Sequence, residues 1–321
     1  MTLSDVSVSE HSSHPGAKNG VPACPEFFAN DIYGGIHMDR YYLIGTPIAH
    51  SLSPSIMNTA FHRLSLDAHY DLMETDEGSL AETVSRLKAE GACGWNVTMP
   101  VKQGMCRFCD ELSTASRISG SVNTVRQSDG KLTGYTTDGI GLIRALADQG
   151  IAVKGSRLTL LGTGGAATAI LVQAALDGAD EIAVFANRPS SRAKIEEVRT
   201  KLGEHSCTRI RICGYDHPDE LRGEIRDSGV LINATNVGMA GTGNSGGCLI
   251  PDSSFLPEGL FVYDVIYHPA ETPLMKMARQ AGCRTENGFS MLLGQAAASF
   301  QIWTGREMPL IADEISLPDV R

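Results

Sequence analysis

The chain has 321 residues, of which 42% are hydrophobic and 20% charged, and a formal net charge of −10 at pH 7. This length accommodates two domains, and a negative chain without a basic stripe argues against binding to nucleic acid. No run reaches the roughly 18 apolar residues that a membrane span requires.

Eight cysteines are scattered along the chain, and only Cys106 and Cys109 are closely spaced. Because no second pair completes a zinc-binding pattern, we predict no metal site and interpret the cysteines as core or surface thiols. Thiols of this kind are typical of a reducing compartment, which indicates a cytoplasmic protein.

Residues 1–38 are rich in Ser, Gly, Pro, His and Asn and show no hydrophobic periodicity. They lack the charged start and apolar centre of a signal peptide. We therefore predict a disordered or loosely attached extension. Order is expected to begin with a strand at residues 40–45.

Two serines follow this strand in the segment 46–54. Ser53 before Pro54 predicts a helix start, with Ser53 as the cap and Pro54 at the first helical position. One interpretation is that Ser51 and Ser53 only cap the helix. The other is that their hydroxyl groups and the helix end bind an anion such as a carboxylate.

Lys102 and Asp138 each follow a predicted strand. Lys102 comes just after the strand 94–98, where α/β proteins bind their ligands, although a plain surface lysine also fits the spacing. Strands at 121–125 and 132–135 are predicted to pair around a turn, and Asp138 precedes a helix that it would cap. We place the first domain boundary there.

Residues 157–188 are organised as strand, glycine turn, small-residue helix and strand, the order of a dinucleotide-binding unit. The turn is predicted to bind a pyrophosphate at the helix N-terminus. Its residues are Gly162, Thr163, Gly164, Gly165 and Ala166. The alternative is a tight structural turn in an α/β fold.

Strands and helices continue to alternate up to a final apolar helix at 289–303, which indicates a doubly wound parallel sheet. The second strand of the dinucleotide unit ends without the acidic residue that usually binds the ribose of NAD, since no acid occurs before Glu196. Arg188 and Arg192 are able to pair with a 2′-phosphate. We predict NADP as the cofactor, with use of both NADP and NAD as the runner-up.

Together these segments resemble the shikimate dehydrogenase family, including its quinate/shikimate dehydrogenase branch, over roughly residues 40–310. Several of the matching motifs lie far apart in the sequence. They are residues 45–54, 96–102, 122–124 and 137–139, the turn at Gly162, and residues 233–235 and 291–295.

The resemblance implies an α/β protein with an N-terminal substrate domain and a Rossmann nucleotide-binding domain. Its predicted boundaries are 1–38 for the extension, 39–138 for the substrate domain, 139–287 for the Rossmann domain and 288–321 for C-terminal helices that return to the substrate domain. The implied reaction is the reversible reduction of 3-dehydroshikimate to shikimate with NADP(H), and the expected partners are small-molecule substrates. The oligomeric state stays open between a single chain and a homodimer.

The resemblance also assigns roles by position. Lys102 and Asp138 would be the catalytic pair, and Ser51 and Ser53 would bind the substrate carboxylate. The ring hydroxyls would be bound by Thr98, Asn123, Tyr267 and Gln295. Besides the glycine turn, the cofactor would contact Asn187, Arg188, Arg192, Thr235, Val265 and Gly288.

The chain departs from the family pattern at three places. Thr136 stands where the family usually has Asn, Ser121 where it has Ala, and Pro189 where it has Thr. Two alternatives stay open: a quinate or related polyol-acid dehydrogenase that uses NAD or NADP, and a noncatalytic nucleotide-sensing protein on the same fold.

Overall fold

The computed structural model describes residues 38–309 and 311–315. The predicted N-terminal extension, residues 1–38, lies outside the described residues apart from Met38. The strands of the described part form two six-stranded sheets.

The first sheet has the strand order β2-β1-β3-β5-β6-β4. Its strands are β1 Asp39–Gly45, β2 Ala68–Glu74, β3 Gly94–Val97, β4 Glu111–Leu112, β5 Thr124–Ser128 and β6 Lys131–Tyr135, and the helices between them are α1 Ser53–Arg63, α2 Leu80–Ala89 and α3 Thr114–Ser119. β1 pairs in parallel with β2 and β3, whereas β5 runs antiparallel to β3 and β6. A 3-10 turn, Gly104–Phe108, follows β3.

Both faces of the first sheet are covered, which explains the continuous apolar run in β1. Tyr41 and Leu43 pack on one face with α1, and Tyr42 and Ile44 pack on the other face with α2. Successive side chains of β1 therefore point to opposite faces of the sheet, although all four residues are apolar.

The second sheet is wholly parallel, with the order β12-β11-β10-β7-β8-β9. Its strands are β7 Arg157–Leu161, β8 Glu181–Phe185, β9 Arg209–Cys213, β10 Val230–Asn233, β11 Phe261–Asp264 and β12 Arg284–Glu286. Its associated helices are α4 Asp138–Asp148, α5 Gly165–Leu176, α6 Pro189–Leu202, α7 Pro218–Arg226 and α8 Pro273–Gln280, and the last long helix is α9 Phe289–Thr304.

This sheet is doubly wound, as predicted. Helices α4, α5 and α6 contribute to the core on one face, and α7 and α8 contribute to the core on the other. The strand order reverses between β7 and β10, and in open α/β sheets ligands bind beyond the carboxyl ends of the strands at such a reversal. The glycine turn follows β7 at this point.

Helix α9 packs on the first sheet although it follows the second sheet in sequence. Phe300 and Trp303 belong to the same buried cluster as Tyr41 and Phe61. The indole Nε1 of Trp303 donates to the carbonyl of Val125 at 2.9 Å. This helix therefore completes one core of the first sheet.

Helix α4 lies against both α5 and α9 through glycines. A Cβ atom at Gly139 would lie 2.4 Å from the carbonyl oxygen of Ala169 in α5, and one at Gly141 would lie 2.6 Å from the carbonyl oxygen of Met291 in α9. Gly294 faces Gly141 across the second contact. Only glycine lets these backbones approach so closely.

The structure also contains elements that the sequence did not predict, namely α3, β4 and β12. No helix in residues 38–309 or 311–315 is long and apolar enough to cross a membrane. The domain boundaries at 138/139 and 287/288 stay predictions.

Candidate active site

A cavity of about 360 Å³ opens where the carboxyl ends of β1 and β3 meet α4, α9 and the loop after β11. The eight residues predicted to bind substrate or act in catalysis all line it. They are Ser51, Ser53, Thr98, Lys102, Asn123, Asp138, Tyr267 and Gln295. The remaining lining residues are Leu43, Pro47, Ile48, His50, Asn96, Val97 and Leu292.

Lys102 and Asp138 form an ion pair inside this cavity. The Lys102 Nζ lies 2.7 Å from Asp138 Oδ2, and the two side chains are 18% and 9% exposed. Asp138 is the first residue of α4, where the positive end of the helix dipole favours a carboxylate. Thr137 occupies the N-cap position and no side chain caps this helix, so the alternative interpretation of Asp138 as a cap is wrong.

Asn123 fixes the other side of the Asp138 carboxylate. Its Nδ2 donates to Asp138 Oδ1 at 2.8 Å and to Gln295 Oε1 at 3.1 Å. Its Oδ1 accepts the backbone N–H of Thr137 at 2.7 Å. Because both ends of the amide are engaged, Asn123, Asp138 and Gln295 are held in one hydrogen-bonded arrangement.

A second polar network lies behind the cavity. The Tyr70 hydroxyl donates to Asn96 Oδ1 at 2.8 Å, and Asn96 Nδ2 donates to Ser299 Oγ at 3.0 Å. Burial raises the pKa of Tyr70 well above its ordinary value, so the phenol stays a donor. The network ties β2, β3 and α9 together beneath the site.

The predicted capping role of Ser53 is wrong. Helix α1 begins at Ser53, its N-cap is Leu52, and no side chain caps it. Instead, Ser51 Oγ accepts the backbone N–H of Ser53 at 3.2 Å and donates to Ser53 Oγ at 3.2 Å. Both hydroxyls line the cavity beside His50.

Tyr267 and Thr98 approach the cavity from different parts of the chain. Tyr267 lies in the loop after β11, and burial raises the pKa of its hydroxyl. Thr98 follows β3 and is held by its N–H, which donates to Ile44 O at 2.8 Å. A Cβ atom at Gly45 would lie 2.5 Å from the Thr98 methyl carbon, so the glycine leaves room for this side chain.

The glycine turn leads into α5 without a capping side chain. Gly162 has a φ of +110°, which favours glycine, and a Cβ atom there would lie 2.8 Å from the Thr235 methyl carbon. Gly164 is the N-cap of α5 and no side chain caps that helix. The first N–H groups of α5 are therefore available to an anion.

The turn also reaches the catalytic candidates, since a Cβ atom at Gly165 would lie 3.9 Å from Lys102 Cδ. Gly288, which precedes α9, packs against Val265, which follows β11. A Cβ atom at Gly288 would lie 1.9 Å from the Val265 carbonyl oxygen. The predicted cofactor residues Thr163, Ala166, Thr235 and Val265 are partly exposed along this edge.

Asn187, Arg188 and Arg192 are exposed at the end of β8 and the start of α6. Arg188 is the N-cap residue of α6. The Arg192 guanidinium donates to the carbonyl oxygens of Ile212 at 2.9 Å and Ala186 at 3.4 Å. It therefore lies against the carboxyl ends of β8 and β9.

Comparison with known proteins identifies the family. The models of the shikimate dehydrogenase substrate binding domain and the shikimate 5′-dehydrogenase C-terminal domain match residues 43–125 and 288–311. The shikimate dehydrogenase (NADP(+)) of Listeria monocytogenes is 41% identical over 274 residues, which are 85% of this chain and 94% of the relative. The chain belongs to the shikimate dehydrogenase family.

Solved structures of the family agree with this assignment. The crystal structure of shikimate 5-dehydrogenase from Listeria monocytogenes in complex with shikimate and NAD has a TM-score of 0.82 at 41% identity, and the match covers 88% of this chain and 96% of that one. A shikimate dehydrogenase in complex with NADP+ has a TM-score of 0.77 at 33% identity, with 87% and 96% covered. The resemblance and the fold class predicted from the sequence are confirmed.

Two polar residues of the cavity were missed from the sequence. His50 stands beside Ser51 within a matching motif, and its position alone would have indicated it. Asn96 precedes Thr98 by two residues, so the period of a strand predicts that both side chains face the same way. Within the described residues, no cluster of three or more His, Cys, Asp or Glu side chains could hold a metal ion.

Proposed function

We propose that this chain catalyses the reversible, NADP(H)-dependent reduction of 3-dehydroshikimate to shikimate. The observation that carries the proposal is the Lys102–Asp138 pair at 2.7 Å. It lies in the cavity described above, and a Cβ atom at Gly165 of the glycine turn would lie 3.9 Å from Lys102 Cδ. Relatives from Listeria monocytogenes and Streptococcus pneumoniae that carry the name shikimate dehydrogenase (NADP(+)) support the same reaction.

Substrate binding is assigned to the polar side chains that line the cavity. Ser51 and Ser53 bind the substrate carboxylate through their hydroxyl groups, and His50 lies beside them. The ring hydroxyls of the substrate are bound by the neutral donors and acceptors of the cavity wall. These are Thr98, Asn123, Tyr267 and Gln295.

The ring ketone would take its hydride from NADPH held at the nucleotide site. Negative charge develops on the ketone oxygen, and the Lys102 ammonium stabilises this charge and donates the proton. In the direction of oxidation, Lys102 accepts the proton of the substrate hydroxyl. Asp138 orients the lysine through Oδ2, while Asn123 holds the carboxylate through Oδ1.

The nucleotide site fits NADP better than NAD. The glycine turn offers uncapped N–H groups to the pyrophosphate. No acidic residue follows β8 before Glu196, so the usual partner of an unmodified ribose is absent from that sequence. Arg188 is exposed and able to bind a 2′-phosphate. The Listeria structure that contains NAD keeps dual cofactor use as the runner-up.

A matrix of shikimate and quinate against NADP and NAD tests this proposal. We expect the highest kcat/KM for shikimate with NADP. A clear preference for NAD would overturn the cofactor assignment, and a preference for quinate would favour the quinate/shikimate branch. Turnover of neither acid, with intact NADP binding, would favour the nucleotide-sensing alternative.

The proposal also covers the domain boundaries, the cellular compartment and the oligomeric state. The two sheets support a substrate domain at 39–138 and a Rossmann domain at 139–287, and the packing of α9 on the first sheet supports a C-terminal segment that begins at residue 288. The seven cysteines of the described part are unpaired, which supports placement in the cytoplasm. The oligomeric state stays open between a single chain and a homodimer, and sedimentation velocity would decide between them.

A further inference from the structure

Lys194 is a lysine of α6 whose ammonium lies at the glycine turn. Its Nζ donates to the carbonyl oxygen of Thr163 at 3.3 Å. Thr163 stands between Gly162 and Gly164, so this contact brings a positive charge to the turn that follows β7. Helix α6 itself follows β8, the neighbour of β7 in the sheet.

Lys194 has no carboxylate partner among the described residues, since the ion pairs within residues 38–309 and 311–315 do not include it. The side chain is partly buried, and burial lowers the pKa of its ammonium. A partly buried cation with only a carbonyl acceptor is costly unless an anion compensates it. Lys201 on the same helix differs, because its Nζ lies 2.7 Å from Glu197 Oε1.

The direction of the side chain indicates where the anion would lie. Side chains of a helix lean towards its N-terminus, so Lys194 reaches back towards the start of α6 and the end of β8. In a dinucleotide-binding sheet, the ribose of the adenosine lies between the glycine turn and the end of the second strand. At this location the ammonium would lie beside the adenosine ribose of a bound dinucleotide.

Arg192 is less available for this role than the sequence suggested. Its guanidinium already donates to the carbonyl oxygens of Ala186 and Ile212, at the ends of β8 and β9. Lys194 instead donates to Thr163 in the turn after β7, the strand on the other side of β8 from β9. The two cations are thus directed to different strand ends.

We propose that Lys194 binds the 2′-phosphate of NADP beside Arg188 and contributes to the preference for NADP over NAD. On NADP binding, the ammonium would exchange the Thr163 carbonyl for phosphate oxygens, which are stronger, charged acceptors. The inference rests on the proposed function for the identity of the cofactor, but the lysine's role can be measured without turnover.

The test compares Lys194→Gln with Lys201→Gln, a matched control on the same helix that lies outside the proposed sites. The ratio of kcat/KM with NADP to kcat/KM with NAD should fall by about ten- to a hundredfold in Lys194→Gln, as expected when one charged hydrogen bond is lost. It should stay at the wild-type value in Lys201→Gln. Lys194→Arg, which keeps the charge, should recover most of the ratio.

Calorimetric binding of adenosine 2′,5′-bisphosphate and adenosine 5′-monophosphate separates this inference from the proposed function. Lys194→Gln should lose affinity for the bisphosphate alone. An equal loss for both ligands, or for NADP and NAD, would overturn the role in specificity, and so would no loss at all. A wild-type protein that turns over neither shikimate nor quinate would contradict only the proposed function.

Discussion

The Lys102 ammonium, which we propose acts on the reacting oxygen, lies in the cavity and is held by Asp138 at 2.7 Å. We predict that Lys102→Ala lowers kcat by about two to four powers of ten, the usual contribution of a positioned acid or base. The dissociation constant of NADP should change little, since the lysine acts mainly on the transition state.

Steady-state kinetics and a direct titration with NADP measure the two quantities. Lys131→Ala is the control, since Lys131 is exposed on β6 and does not line the cavity. Near wild-type turnover of Lys102→Ala would show that the assigned role is wrong.

Ser51 and Ser53 are expected to bind the carboxylate of the substrate. The double variant Ser51→Ala with Ser53→Ala should weaken binding of the acid by about 1–3 kcal/mol, because charged hydrogen bonds are lost. KM for shikimate should rise, whereas the KM for NADP should not. An unchanged KM for shikimate would leave these hydroxyls with a structural role only.

The same double variant needs a folding control, because Ser51 Oγ accepts the N–H of Ser53 at the start of α1. Thermal unfolding of the variant measures this loss separately. Ser51→Ala alone should account for most of any fall in Tm, since Ser53 Oγ does not cap the helix.

Tyr267 gives a prediction about pH. Burial raises the pKa of its hydroxyl, so the phenol stays protonated as pH rises towards about 10, the ordinary tyrosine value. Tyr267→Phe should lower kcat/KM for shikimate by about two- to tenfold, as expected for one neutral hydrogen bond. The ratio of wild type to variant should stay constant from about pH 7 to pH 10. A ratio that approaches one over this range would show that the hydroxyl ionises.

At the residue scale, motifs were predictable and their mutual contacts were not. The sequence indicated Lys102, Asn123, Asp138 and Gln295, but not that Asn123 Nδ2 contacts both Asp138 and Gln295. Such contacts depend on how distant elements pack, which local patterns do not encode. Lys194 was missed for the same reason, because it lies in α6 whereas its partner Thr163 lies in the turn after β7.

At the scale of elements, α4 is the helix on which the site depends. It begins at Asp138 and packs through Gly141 against α9, which carries Gln295. We predict that Gly141→Ala lowers the free energy of unfolding by about 1–3 kcal/mol, since the added methyl group overpacks the contact. It should also lower kcat, because moving α4 relative to α9 separates Asp138 from Gln295.

Urea unfolding and kinetics of the same variant measure both effects. Gly223→Ala in α7 is the matched control, because nothing lies within 4 Å of its added Cβ atom. That control should be neutral or more stable by up to about 1 kcal/mol, as alanine favours a helix interior. A Gly141→Ala variant as stable as Gly223→Ala would contradict the close-packing argument.

Elements marked by an apolar run and a glycine boundary were predicted well, and elements of two or three residues were not. The strands β7 and β8 and the helix α5 follow apolar runs and glycine stops that propensity alone predicts. β4 has two residues and β12 has three, too few for a period to be visible in sequence. They exist because neighbouring strands supply their hydrogen-bonding partners.

At the scale of the molecule, α9 joins the end of the chain to its first sheet. Trp303 packs with its ring 4.9 Å from that of Tyr41, and its indole donates to Val125. Trp303→Ala should lower the free energy of unfolding by about 3–5 kcal/mol, as for other large buried side chains. Gln301→Ala, on an exposed face of α9, should change it by less than about 1 kcal/mol.

Urea unfolding monitored by far-UV circular dichroism measures the Trp303 effect without relying on the removed indole. Equal stability of the Trp303 and Gln301 variants would show that α9 contributes little to the core of the first sheet.

The place of α9 in the core also affects synthesis on the ribosome. Tyr41 and Phe61 are translated early, but the helix that covers them comes near the end of the chain. At a translation rate of about 5–20 residues per second, these apolar side chains stay without α9 for on the order of ten to fifty seconds. The second sheet is contiguous in sequence and can close in that interval, so we expect the nascent chain to fold from its middle outwards and to need chaperone protection at its N-terminal sheet.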